Sequence, residues 1–224
     1  MLSPIVLFVY NRPWHTEQTL NALKKNDLAN ESILYIYADG PKENAPADQI
    51  ENIDEVRRII REEKWCKEVF IIESEKNKGL ADSIISGVTE VINRFDKIIV
   101  LEDDIVTTKG FLKYMNDALN LYEKEERIFH ISGYMYPHHQ SLPETFFFNV
   151  PLCWGWATWK RAWKNFNHDS KEITDYFEKY NKWATFNKFG GTYLEEQIRS
   201  NNTGKLKTWF IKWHGSVMIQ NGFT

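Results

Sequence analysis

The chain has 224 residues, 42% of them hydrophobic and 26% charged, with a formal net charge of −3. That length supports one large domain, or a domain with an elaborated second lobe, with a sizeable core, and the slightly acidic balance argues against nucleic acid as the main partner. The longest apolar runs, such as IVLFVY at 5–10, fall far short of the ~20 residues that span a bilayer, and the first residues lack the basic-then-apolar layout of a signal peptide, so a cytoplasmic location is expected.

In chain order, short runs rich in Ile, Val, Phe and Tyr at 5–10, 33–38, 69–72 and 97–101 read as strands. Helical spacing separates them, first at Leu20 and Leu23, then at Ile50, Ile53, Val56 and Ile60, then at Leu80, Ile84, Val88, Val91 and Phe95. This alternation predicts an α/β fold, a Rossmann-like, mostly parallel central sheet with helices on both faces. Phe111, Met115, Ala118, Leu119 and Tyr122 mark a further helix, and 128–134 reads as another strand. The texture then changes to a polar loop carrying His138 and His139, the apolar run FFFNV, and a Trp-rich stretch with few clean periods. Residues 1–135 are read as a nucleotide-binding half and 136–224 as an acceptor-side half of the same domain. The chain closes on IKWHGSVMIQNGFT, an apolar helix running into a Gly-containing loop, and a further C-terminal segment is expected beyond it.

Cys66 and Cys153 lack metal-site spacing and read as reduced structural thiols. Residues 151–224 hold eleven Lys/Arg against six Asp/Glu, which leaves the first 150 residues strongly acidic. An acidic half holding a metal and a basic half meeting an anionic acceptor or a membrane surface fits that split, and so does a merely solvated surface. Of the aromatic residues, buried packing is the default role; at most one of Trp154, Trp156, Trp159 and Trp163 is expected to serve as a sugar platform.

Ligands of open α/β sheets gather beyond the carboxyl ends of the strands. The residues there are Asn11-Arg12-Pro13, Asp39-Gly40-Pro41, 73–79, and Glu102-Asp103-Asp104. Like charges about 4 Å apart repel by roughly 4 kcal/mol near a protein surface, so the acidic trio calls for a cation or water. Strand alternation would point Glu102 and Asp104 one way and Asp103 the other. Magnesium or manganese takes hard oxygen ligands and leaves positions for substrate phosphates, which suits a metal-bridged diphosphate. Arg12 has the fork for a phosphate, and Asp39 can accept from a base or ribose. The bland readings are a solvated arginine, a plain Asp-Gly turn and, for His214 between Trp213 and Gly215, packing.

Five segments together, PIVLFVYNRPWHTEQTLNAL at 4–23, YADGP at 37–41, KGLADSI at 78–84, IIVLEDDIVTTKGFLKYM at 98–115 and PLCWGWATWKRAW at 151–163, resemble a glycosyltransferase of the GT-A fold. The resemblance is to bacterial family 2 enzymes and, in the EDD segment, to the N-acetylglucosaminyltransferase I group; it covers most of 4–165 and thins beyond. It implies a nucleotide-sugar donor, UDP-linked, bound with Mn2+ or Mg2+, and a glycan or lipid-linked acceptor in bacterial surface polysaccharide assembly at the inner face of the membrane. By the same resemblance Asp104 ligates the metal, Glu102 and Asp103 contact the sugar or ribose, Asn11, Arg12 and Asp39 the donor nucleotide, and Asn77 and Asp82 border the donor. An inverting enzyme needs a carboxylate base after the metal motif; YLEEQI at 193–198 offers Glu196 and Glu195, with Glu196 favoured, although the Asp common in the family's acidic pair is lacking here. Glu195 and Glu196 also read as ordinary first-turn helix acids. Two rivals stand beside this reading. A nucleotidyltransferase would carry a Gly-rich loop after strand one, which NRPWHTEQ lacks, and a non-catalytic carbohydrate-binding protein would show no dependence on divalent metal.

Overall fold

A computed structural model describes residues 2–137, 139, 141–188 and 190–224. Four strands, β1 (Ile5–Val9), β2 (Ile33–Ala38), β3 (Glu68–Glu73) and β4 (Lys97–Glu102), form a parallel set. Two short strands, β5 (Ile131–Ser132) and β6 (Trp156–Trp159), extend it antiparallel, giving the order β3-β2-β1-β4-β6-β5. The strand from the second half of the chain thus lies between two from the first.

Helices α1 (Pro13–Lys24), α2 (Ala47–Glu62) and α4 (Phe111–Leu121) bury Leu20, Leu23, Val56, Ile60, Leu112 and Met115 against Ile5, Leu7, Leu34, Ile36, Ile99 and Leu101. On the other face α3 (Leu80–Phe95) sets Ile84, Val88 and Val91 against Val6, Phe8, Ile98 and Val100. Odd positions of β1 and β4 face one layer and even positions the other. A parallel sheet covered on both sides therefore reads as unbroken apolar runs, here IVLFV in β1 and IIVL within β4.

The Trp-rich stretch is mostly core. Trp156 stacks between His130 at 5.2 Å and Trp209 at 5.1 Å, and Trp163 and Trp213 extend the cluster. The Trp213 indole N–H donates to His130 Nδ1 at 3.1 Å, which leaves His130 Nε2 to donate to Leu152 O at 3.0 Å. Burial pushes the His130 pKa down to about 3, so the ring stays neutral. Past β6 the chain forms α5 (Lys160–Trp163), α6 (Ser170–Lys179), α7 (Trp183–Phe186), α8 (Thr192–Asn202) and α9 (Phe210–Ile219). Asp169 caps α6, accepting from Lys171 N at 2.7 Å. Ile173, Phe177, Phe186, Ile198 and Ile211 then pack these helices into a satellite core. Among the described residues no helix is long and apolar enough to cross a membrane.

The strand expected over 128–134 shrinks to Ile131–Ser132. Its upstream backbone groups are taken elsewhere: Arg161 donates to Ile128 O at 2.8 Å, Thr158 Oγ1 to Phe129 O at 2.6 Å, and Phe129 N donates to Phe223 O at 2.9 Å. The same guanidinium also holds Glu123 O at 2.8 Å and Tyr122 O at 2.9 Å, and lies over the Trp159 ring. Arg161→Met strands three carbonyls that charge-assisted bonds now satisfy, so a loss of about 2–3 kcal/mol is expected. Urea unfolding should show it as a lower midpoint at unchanged slope.

Candidate active site

β1 leads through α1 to β2 on one side, while β4 lies on its other side and is reached through α3 on the opposite face. The carboxyl ends of β1 and β4 therefore flank the topological switch point, where open α/β sheets hold ligands. Register pairs Phe8 with Glu102, so Arg12 and the acidic trio emerge side by side. Arg12 Nε and Nη2 donate to the two oxygens of Asp103, the former at 3.3 Å, and Nη1 donates to Asp104 Oδ2 at 3.1 Å.

The expected alternation of Asp103 and Asp104 does not hold. β4 ends at Glu102, and the chain turns, with Ile105 N donating to Glu102 O at 3.1 Å, so both aspartates reach one guanidinium. Thr19 Oγ1 pins the turn through Asp103 O at 2.8 Å. The cation that the trio requires is thus in part the chain's own. Burial raises the Asp103 carboxyl above its usual range, opposed by Arg12. Burial acts on Glu102 too, and with the charges of Asp104 and Asp103 it pushes that carboxyl up to about 7 against the pull of Arg12. Burial works against the Arg12 charge, but its two aspartates outweigh it and hold the pKa above normal.

Asp39 is buried and accepts from four donors: Gly40 N at 2.9 Å, Asn77 Nδ2 at 3.0 Å, Lys78 N at 2.8 Å and Gly79 N at 2.9 Å. A carboxylate offers about four lone-pair sites, so here they hold the 74–79 loop and the start of α3. Gly40 is required by the same packing, since a Cβ there would lie 2.5 Å from Ser74 O. Asn77 also donates to Gly40 O at 3.0 Å. Asp82, in the first turn of α3, ion-pairs with Lys207, tying that helix to the segment before α9. Asn11 is half-buried next to Arg12.

α8 packs on α6, α7 and α9 and carries both base candidates. Glu195 accepts from Asn187 Nδ2 and from Arg199, each at 2.9 Å, whereas Glu196 is exposed. Among the described residues no hydrogen bond or ion pair joins either glutamate to the rim at Arg12 and Glu102–Asp104. His214 is fully buried, its Nε2 bonded to Phe186 O at 3.2 Å and its pKa pushed by burial down to about 4. His138 lies outside the described residues. Cys66 and Cys153 are free thiols. Burial, with Glu102 and Asp104 nearby, pushes Cys153 up to about 12, so its thiol stays protonated.

Among the described residues no group of three or more His, Cys, Asp and Glu is arranged to hold a metal ion. A site built from one or two carboxylates and a substrate's phosphates needs no such group. Among the described residues no hydrogen bond reaches the Glu102 carboxylate, and Asp104 keeps one oxygen outside its ion pair with Arg12. These hard, under-neutralised oxygens fit magnesium or manganese. Sequence periodicity gave no sign of a cluster of the rings of Tyr134, Tyr136 and Trp154, on the residues that leave β5 and enter β6 at the carboxyl end of β4.

No protein-family model matches the chain, and no curated protein matches it. Among solved structures it is similar to S. aureus TarS, at 15% identity and a TM-score of 0.40 over 64% of this chain and 23% of that one. The structure of TarS 1–349 in complex with UDP-GlcNAc matches at 14% identity and 0.39 over 63% and 37% of the two chains. The complex of TarS 1–349 with UDP matches at 15% and 0.40 over 64% and 38%. The chain thus spans well under half the length of these structures.

Proposed function

We propose that this chain is a glycosyltransferase that passes a sugar from a UDP-linked donor to a hydroxyl of a glycan or lipid-linked acceptor, with inversion. The observation that carries the reading is the meeting of Arg12 with the Glu102–Asp104 turn at the switch point of the sheet. The resemblance of the EDD segment agrees with it.

Arg12 would present its fork to the donor's phosphate oxygens, in exchange for part of its hold on Asp104. Asp104, with Glu102, would hold magnesium or manganese, which when bound supplies Lewis-acid stabilisation of the charge on the departing diphosphate. Asp103, Asn11 and the loop that Asp39 and Asn77 fix would border the nucleotide and sugar, with Asp82 at the loop's far end. Glu195 is held by Arg199, which leaves Glu196 as the base to take the acceptor hydroxyl's proton. The acceptor oxygen bonds to the anomeric carbon from one side as the bond to the diphosphate breaks on the other.

Calorimetric titration of UDP tests the reading. Binding should require Mn2+, and should weaken by about tenfold or more with a chelator or in Asp104→Ala. Failure of both UDP and GDP to bind with metal present would overturn it.

A further inference from the structure

β5 ends and β6 begins at the carboxyl end of β4, where the last pairs are Ser132–Trp156 and Val100–Trp156. Gly155, at φ +68°, breaks the ladder there, and a Cβ on it would lie 3.4 Å from Ile105 Cγ2, just past the acidic trio. Gly133 N donates to Gly155 O at 2.8 Å, and the Tyr134 and Trp154 ring centroids stand 4.8 Å apart, which holds the residues leaving β5 against those entering β6. Tyr136 lies 5.2 Å from Trp154 and 5.6 Å from Tyr134. The rings meet at 70–84°, edge to face, and form a corner rather than a stack. Trp154, Tyr134 and Tyr136 are 39%, 40% and 52% exposed, whereas Trp156, Trp159 and Trp213 are buried.

We infer that Tyr134, Tyr136 and Trp154 form the acceptor platform, which binds a pyranose ring of a neutral glycan beside Glu102. The inference rests on the transferase reading and adds to it the chemical class of the acceptor. A pyranose has C–H faces that suit an aromatic surface and hydroxyls that need polar partners at its edge. The corner supplies both, because its rings keep exposed surface while two phenols stand at its margin. Charge selects among sugars. Asp103 and Asp104 share one guanidinium, and a metal held by Asp104 and Glu102 would be matched by the donor's diphosphate, so an anionic acceptor would find no spare cation there and a neutral ring needs none.

Saturation-transfer NMR on the whole chain, with methyl glycosides of glucose, galactose and N-acetylglucosamine as probes, tests the platform. At least one glycoside should receive saturation. Trp154→Ala and Tyr136→Ala should weaken its binding by about tenfold, with Trp154→Phe retaining most of it. Tyr180→Ala, another exposed ring at the end of α6, should leave binding unchanged. Absence of binding by every probe, or equal binding by Trp154→Ala, would overturn the proposal. Glycoside binding that depends on Trp154 in a protein that does not bind UDP would overturn the acceptor role and leave a plain carbohydrate site, so the two readings fail separately.

Discussion

On the proposed transferase reading, an Arg12→Ala variant is expected to turn over a UDP-sugar about 10²–10³-fold more slowly, the effect of deleting one preorganised charge at a reacting phosphate. It should also melt lower. Asp103 is 3% exposed, and loss of its partner leaves a buried carboxylate uncompensated, while the Arg12 side chain itself is 44% exposed and its field is screened by water. The balance is about 1–3 kcal/mol, or roughly 2–10 °C for a chain of this length. The sign with pH follows from Asp103. Its carboxyl is already raised in the fold, and without Arg12 it rises further, so the deficit is full at pH 8 and shrinks as acid protonates the group. Arg12→Lys should recover stability better than turnover, since an ammonium restores charge but not the fork. Melting curves at two pH values and a donor-turnover assay read both effects.

Glu102→Gln should move stability and activity in opposite directions. A carboxyl raised from 4.5 to about 7 is held in the fold at the expense of its charged form. The folded state binds the proton more tightly than the unfolded chain, so this group's contribution is most favourable below about pH 4.5 and is lost as pH rises to 7. Glutamine keeps the shape without the charge. At pH 8 in chelator the variant should therefore be more stable by about 2 kcal/mol, a part of the shift's full worth. The gain should vanish below pH 4.5. On the proposed reading, donor turnover should fall by about 10²-fold or more, since the variant lacks the oxygen and the charge that Glu102 would offer the metal. An unchanged melting temperature at pH 8 would mean that the carboxylate is already neutralised in the resting protein.

β3, an edge strand with Glu68, Phe70 and Glu73 exposed, is legible from its Val, Phe and Ile content, whereas β1, β2 and β4 are legible to within a residue or two because burial on both faces needs a nearly uninterrupted apolar run. α1 to α4 announce themselves by spacing for the same reason. From those two facts the carboxyl-end rule brings Arg12 to Glu102–Asp104 with no further information. Finer geometry is not legible, because it depends on where β4 stops: one residue more of strand would have separated Asp103 from Asp104. β6 is hidden, since its WATW run buries all four residues and carries no alternation, and its partner strand lies 56 residues upstream. The Asp39 clamp joins residues about 40 apart through backbone N–H groups, which have no sequence signature. Asp169 and Glu172 at the start of α6 do form a readable capping pattern ahead of Ile173 and Phe177.

The position of β1 sets an order of events during synthesis. β1 is central and wholly apolar, and its neighbour β2 follows within thirty residues, but the strand that closes its other side, β4, ends at residue 102. At ordinary elongation rates, β1 leaves the ribosome roughly 5–20 s before β4 is complete. For that interval a nascent β3-β2-β1 ribbon carries an open, uncharged edge, the surface most apt to pair with another chain. Arg12 stands at the end of that edge with neither of its aspartates yet made. Closure of β4 on β1 therefore completes the sheet and assembles the charged centre in one step, and a ribosome-bound chain stopped short of residue 104 should be both inactive and in need of a chaperone.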